Sequence, residues 1–173
     1  MRYRYAVCVF LAAYIFQTTL MNAVSVFGVT PNLLLCLVVV YSFLYHESAG
    51  GPVFGVVFGL LYDIAFMPHV GVAAMAFLIV SVSIMIISSV MNKEMIASVI
   101  IITPIATTVY VLIYWAIMLL LGSNHGFLFV MGFLPYYIAY NTVVVVVLYL
   151  FMVRKVIRHR RDRYYYDFSK FKI

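Results

Sequence analysis

The stretch Gly51-Pro52-Val53-Phe54-Gly55-Val56-Val57-Phe58-Gly59-Leu60-Leu61-Tyr62-Asp63 decides how this chain folds. Gly51, Gly55, Gly59 and Asp63 recur at every fourth position, which keeps them on one face of a helix. Glycines at that spacing leave a flat groove into which a second helix can bring its backbone. Asp63 closes the groove and is the only acidic residue inside an apolar span. A carboxylate in hydrocarbon costs roughly 3 kcal/mol or more unless it is paired or solvated. The face therefore predicts a close helix neighbour that carries a polar group. It serves either as a packing contact within the bundle or as a site for a partner.

Hydrophobic residues make up 67 % of the 173 residues and charged residues 9 %. A soluble domain of this length cannot cover so much apolar surface, so the composition implies a polytopic membrane protein. Apolar segments run at 5–27, 31–45, 51–66, 70–91, 96–121 and 130–153, separated by Gly, Pro, Asn and His. The first is too long for a cleavable leader and no small-x-small site follows it, so it is expected to stay in the mature protein. The second and third are short for a bilayer, about 22–24 Å as helices, and need local thinning of the bilayer or shielding by protein. Val143–Val147 would suggest a strand in water, but within lipid it is expected to be helical. Pro104 is expected to kink its helix. Cys8 and Cys36 both fall within apolar spans and are read as packing residues, not a disulfide.

Eight of the eleven Lys and Arg lie between Arg154 and Lys172. The others are Arg2, Arg4 and Lys93. With six spans and a cytoplasmic N-terminus, every basic residue falls on the cytoplasmic side. The chain thus divides into a six-span domain, 1–153, and a basic, tyrosine-rich cytoplasmic tail, 154–173. Arg154, Lys155, Arg158, Arg160, Arg161 and Arg163 are placed to meet anionic lipid headgroups. They also serve as a topology signal. A run this short and this close to the membrane is a poor nucleic-acid site.

Tyr14, Thr18 and Asn22 fall on one stripe of the first span, together with Gln17, Met21 and Ser25. Thr103, Thr107 and Tyr110 form a similar stripe in the fifth. Such stripes either bond across helices or line a polar cavity, and Ser and Thr can also bond their own backbone. His46, His69 and His125 sit in different loops, and no ligand spacing for a metal occurs. No nucleophile has a base and an orienting group beside it, and no phosphate-cradling loop is present. No catalytic residue, cofactor or metal is expected.

Pro31-Asn32-Leu33-Leu34-Leu35, then Gly51-x3-Gly55-x3-Gly59-Leu60-Leu61-Tyr62-Asp63 and Gly71, a further apolar span and a basic tail follow one another over about the whole chain. In order, spacing and length this resembles the bacterial rod-shape-determining MreD family. Asn32 stands where that family often carries an acidic residue. The resemblance implies a non-enzymatic component of the machinery that inserts lateral peptidoglycan, in the cytoplasmic membrane. It implies an MreC-like bitopic partner, and an MreB-like actin filament and a glycosyltransferase–transpeptidase pair as direct or indirect partners. The implied fold is an all-α six-transmembrane-helix bundle with both termini cytoplasmic, similar in layout to the substrate-binding subunits of energy-coupling-factor transporters. Those vitamin-binding subunits are also the alternative function. They commonly carry an Ala-x3-Ala docking surface in the first span; Ala6, Ala12, Ala13 and Ala23 form no such pair.

The orientation has a direct check. A cysteine at Ser123 is expected to react with an impermeant maleimide added to intact cells, and one at Ser169 only after permeabilisation. The opposite pattern would contradict the topology.

Overall fold

A computed structural model describes the backbone of residues 3–19, 29–45, 48–67, 69–93, 95–124 and 126–170, with side chains among these from 4 to 153. The described residues form six helices: α1 (Tyr3–Thr19), α2 (Leu33–Leu44), α3 (Gly50–Phe66), α4 (Val72–Ser88), α5 (Ile96–Leu120) and α6 (Phe127–Lys170). The pentavaline is helical within α6, and α5 runs unbroken through Pro104. The last third of the first expected span, including Asn22, lies outside the described residues. The α6 backbone continues past Val153 to Lys170, so the boundary there is one of composition and not of secondary structure.

α2 is the axis of the bundle. It touches all five other helices, and every residue from Leu34 to Leu44 is buried. A helix of 12 residues reaches only about 18 Å, short of a bilayer's hydrocarbon. Its neighbours shield it, so its length need not match the lipid. The outer helices show the complementary pattern. Large apolar side chains are exposed at Ile15 and Phe16 on α1, Val57 and Ile64 on α3, Met75 and Ile86 on α4, Ile101 on α5 and Val143 and Phe151 on α6. Exposed surface of this kind suits lipid, not water. Among the described residues, Ile96–Leu120 and Phe127–Val153 are long and apolar enough to cross a membrane.

Phe10 of α1 lies against Tyr41 of α2 and Phe54 and Phe58 of α3, with ring centroids 5.0–6.0 Å apart. This aromatic knot joins the first three helices. α3 and α4 form the most extensive pair in the bundle, and the glycines account for it. A Cβ on Gly59 would stand 2.5 Å from Ala74 Cα and 2.8 Å from its nitrogen. One on Gly55 would stand 3.3 Å from the Phe77 carbonyl oxygen. At Gly51 the neighbour is α2 instead, where the Ser42 hydroxyl occupies the space a Cβ would need. The glycine face thus meets two helices: α2 near its start and α4 further along.

The distances rank the glycines. Gly59→Ala drives a Cβ into backbone that cannot rotate aside, and is expected to cost about 1–3 kcal/mol. Gly55→Ala needs the neighbour to give by only a few tenths of an ångström and should cost well under half as much. Unfolding in mild detergent, followed by circular dichroism, measures both. Equal loss at the two positions would contradict the geometry.

Candidate functional site

Asp63 is completely buried near the end of α3. Its Oδ2 accepts from the backbone N–H groups of Gly71 at 2.9 Å, Ala73 at 2.9 Å and Ala74 at 3.3 Å, and its Oδ1 from Ala73 at 3.1 Å. These are the first amides of α4. A helix start leaves its first four N–H groups without intrahelical acceptors, and its dipole favours negative charge there. The residue at the N-cap of α4, Gly71, has no side chain to serve them. A carboxylate from the preceding helix does so instead. The polar partner of Asp63 is therefore α4's own backbone.

Gly71 stands apart from the groove glycines. Nothing lies within 4 Å of the position a Cβ would occupy. Its φ of 104° is left-handed, a conformation that costs other L-residues about 1–2 kcal/mol. It turns the chain so that α4 starts with its amides facing Asp63.

The start of α2 is served by three amide side chains from three helices. Asn32, the N-cap, accepts from Leu35 N–H at 2.9 Å through its own Oδ1. Gln17 of α1 accepts from Leu33 N–H at 2.7 Å and donates to the Pro31 carbonyl at 3.2 Å. Asn141 of α6 accepts from Asn32 N–H at 3.1 Å. The remaining amide hydrogens reach α5: Asn141 Nδ2 donates to Thr107 Oγ1 at 3.3 Å, and Asn32 Nδ2 to Tyr110 Oη at 3.4 Å. The Cys36 thiol also lies 3.6 Å from Asn141 Oδ1. Both ends of each amide are engaged. The layer joins α1, α2, α5 and α6 with groups that water cannot serve in a membrane interior.

The two constellations lie at one end of the bundle, linked by rings. Tyr62 beside Asp63 packs on Phe77 at 6.4 Å, Phe77 on Tyr110 at 5.4 Å and Tyr110 on Tyr114 at 5.9 Å. The expected stripes divide accordingly. Thr107 and Tyr110 belong to the layer. Tyr14 donates to the Leu61 carbonyl at 3.4 Å, tying α1 to α3. Thr18 and Thr103 donate to carbonyls of their own helices, Ile15 at 2.8 Å and Val99 at 2.7 Å. Gln17 was visible in the stripe, but its role was not. Asn141 gave no signal beyond being an amide within an apolar run. The side chains of Arg154, Lys155, Arg158, Arg160, Arg161 and Arg163 lie outside the described residues.

A family model described as rod shape-determining protein MreD matches residues 2–159. No curated protein and no solved structure matches the chain.

The cap at Asp63 separates two substitutions. Asp63→Leu leaves the buried amides of Gly71, Ala73 and Ala74 without an acceptor and is expected to cost on the order of 2–3 kcal/mol. Asp63→Asn keeps one oxygen but sets an N–H against a backbone donor. It is expected to cost about 1 kcal/mol. Thermal unfolding in detergent gives the order; a Leu variant as stable as wild type would rule the cap out.

Proposed function

Since the chain belongs to the MreD family, a family of rod-shape-determining membrane proteins, we propose that it is a non-enzymatic integral component of the cell-wall elongation complex, binding an MreC-like bitopic protein. The MreB-like filament and the glycosyltransferase–transpeptidase pair are engaged directly or through that partner. The family match carries this reading. The geometry supports it in one respect: the carboxylate and amides that chemistry or a vitamin site would recruit are engaged in holding helix starts. Asp63 then contributes through the shape of the α3–α4 pair and not by touching the partner.

In this reading all six apolar segments cross the cytoplasmic membrane and both termini are cytoplasmic. The one-sided distribution of basic residues supports that arrangement. The segment 154–173 continues α6 into the cytoplasm, where its basic residues meet anionic lipid.

Depletion in the native cell, with microscopy and fluorescent labelling of new wall, tests the proposal. Rods should round up and lateral incorporation should fall. Wild-type protein should restore shape and co-purify with the MreC-like partner. A phenotype confined to vitamin uptake, with shape unchanged, would overturn the scaffold reading in favour of the transporter subunit.

A further inference from the structure

The helices that face lipid have unequal heights. α3 has 17 residues, about 25 Å of helix; α4 also has 17, and turn hydrogen bonds from Ser89, Val90 and Met91 carry it on to about 30 Å. α5 has 25 residues and the apolar part of α6 has 27, about 37 and 40 Å. Both ends of the bundle can be put in register. At one end Tyr149 of α6 donates to the Lys93 carbonyl in the α4–α5 connection, at 2.7 Å. At the other end the Tyr114 hydroxyl of α5 lies 2.8 Å from Met67 Sδ, just past α3. The Phe77–Tyr110 ring pair sets α4 against α5 independently. Five residues back along α4 and five forward along α5 bring Val72 level with Trp115. By these registers α5 continues about 9 Å past Met67 and about 7–8 Å past Val72, the start of α4. The part that continues is apolar and exposed: Leu119, Leu120 and Leu121 of the α5 end, and Phe127, Leu128 and Phe129 of α6.

Bilayer hydrocarbon is about 30 Å thick. It is taller than α3 and shorter than the α5–α6 side of the molecule; α4, carried on to Met91 by turn bonds and exposing apolar residues from Val70 to Val90, matches it. Both sides expose large aliphatic residues, with Ile64 at 67 % and Leu120 at 87 % of full exposure. Neither side can leave hydrocarbon without wetting those residues. Tilting the whole molecule does not remove a step fixed by internal contacts.

We propose that this step is a lipid-deforming surface: bilayer hydrocarbon occupies both faces, drawn thin against α3 and held thick around the α5–α6 tip. The inference rests on the membrane-spanning reading given above. A protein built this way stresses the leaflet it occupies at the Asn32 end, and short acyl chains relieve the stress on one side only.

Spin labels test it. Ile64→Cys and Leu120→Cys are made singly in a Cys8→Ser chain that keeps the buried Cys36. Both positions are exposed, so neither change disturbs packing. The labelled proteins are placed in phosphatidylcholine–phosphatidylglycerol vesicles with dimyristoleoyl, dioleoyl or dierucoyl chains. Power saturation then reads collisions with oxygen and with a water-soluble nickel chelate. In dioleoyl vesicles both labels should be oxygen-rich and nickel-poor despite their different heights. In dimyristoleoyl vesicles nickel contact should rise several-fold at Leu120 and little at Ile64. A Leu120 label as nickel-accessible in dioleoyl lipid as one at Ser123 would overturn the proposal, since the tip would stand in water. Identical responses of the two labels to chain length would overturn it too, since the boundary would be flat. Cysteines at Ser123 and Asn92 that react with an impermeant reagent from the same side would instead bring down the spanning reading itself. The two failures are therefore distinguishable.

Discussion

A helix that begins inside an apolar body exposes N–H groups that neither water nor its own carbonyls can satisfy. This constraint organises most of the polar chemistry of the molecule. α2 lies among five other helices, and α4 begins behind a glycine with no side chain to offer. Each unmet donor would cost about 1–3 kcal/mol, a large share of the stability of a bundle this size. Gln17, Asn32 and Asn141 meet the demand at α2, and Asp63 meets it at α4. In doing so they fix which helices meet: α1 and α6 are each tied by an amide to the first turn of α2.

The glycine groove and the carboxylate act together. Gly59 lets the backbone of Ala74 approach, and one turn further Asp63 accepts the Ala74 amide. A wider α3–α4 separation would put α4's first turn beyond the carboxylate's reach. Without the carboxylate, close approach would bury bare donors. Gly71 completes the arrangement from outside the groove, by the turn it permits and by the N–H it gives to Asp63.

Much of this was legible in the sequence. Apolar runs and their punctuation marked α2, α3, α4 and α5 close to their observed limits, whereas α6 runs well past the expected end at Val153. Four-residue glycine spacing pointed to close approach, because on a helix such spacing has one geometric meaning. The short second segment was readable as needing either a thinner bilayer or shielding by protein, and α2 is buried over nearly its whole length. Roles that depend on distant partners were not readable. Asn141 and Asn32 are 109 residues apart, and nothing local marks an amide in an apolar run as the acceptor for another helix's start. Thr18 and Thr103 share their stripes with residues that bond across helices, yet bond their own helix, and spacing alone cannot separate the two uses. Gly71 carries the same letter as the groove glycines, and only its backbone angle tells it apart.

Amide hydrogen exchange on the unmodified protein in lipid nanodiscs most directly tests whether side-chain capping governs the helix starts. The start of α5 is the internal reference, since Met95 at its N-cap offers no side-chain bond. Capping predicts that the amides of Gly71, Ala73 and Ala74, and of Asn32, Leu33 and Leu35, exchange slowly, near the rate of amides in mid-helix. Those of Ile96 and Ala97 should exchange far faster. If the first-turn amides of α2 and α4 exchange as fast as Ile96 and Ala97, the caps do not hold in the membrane. The buried carboxylate and amides would then need another role.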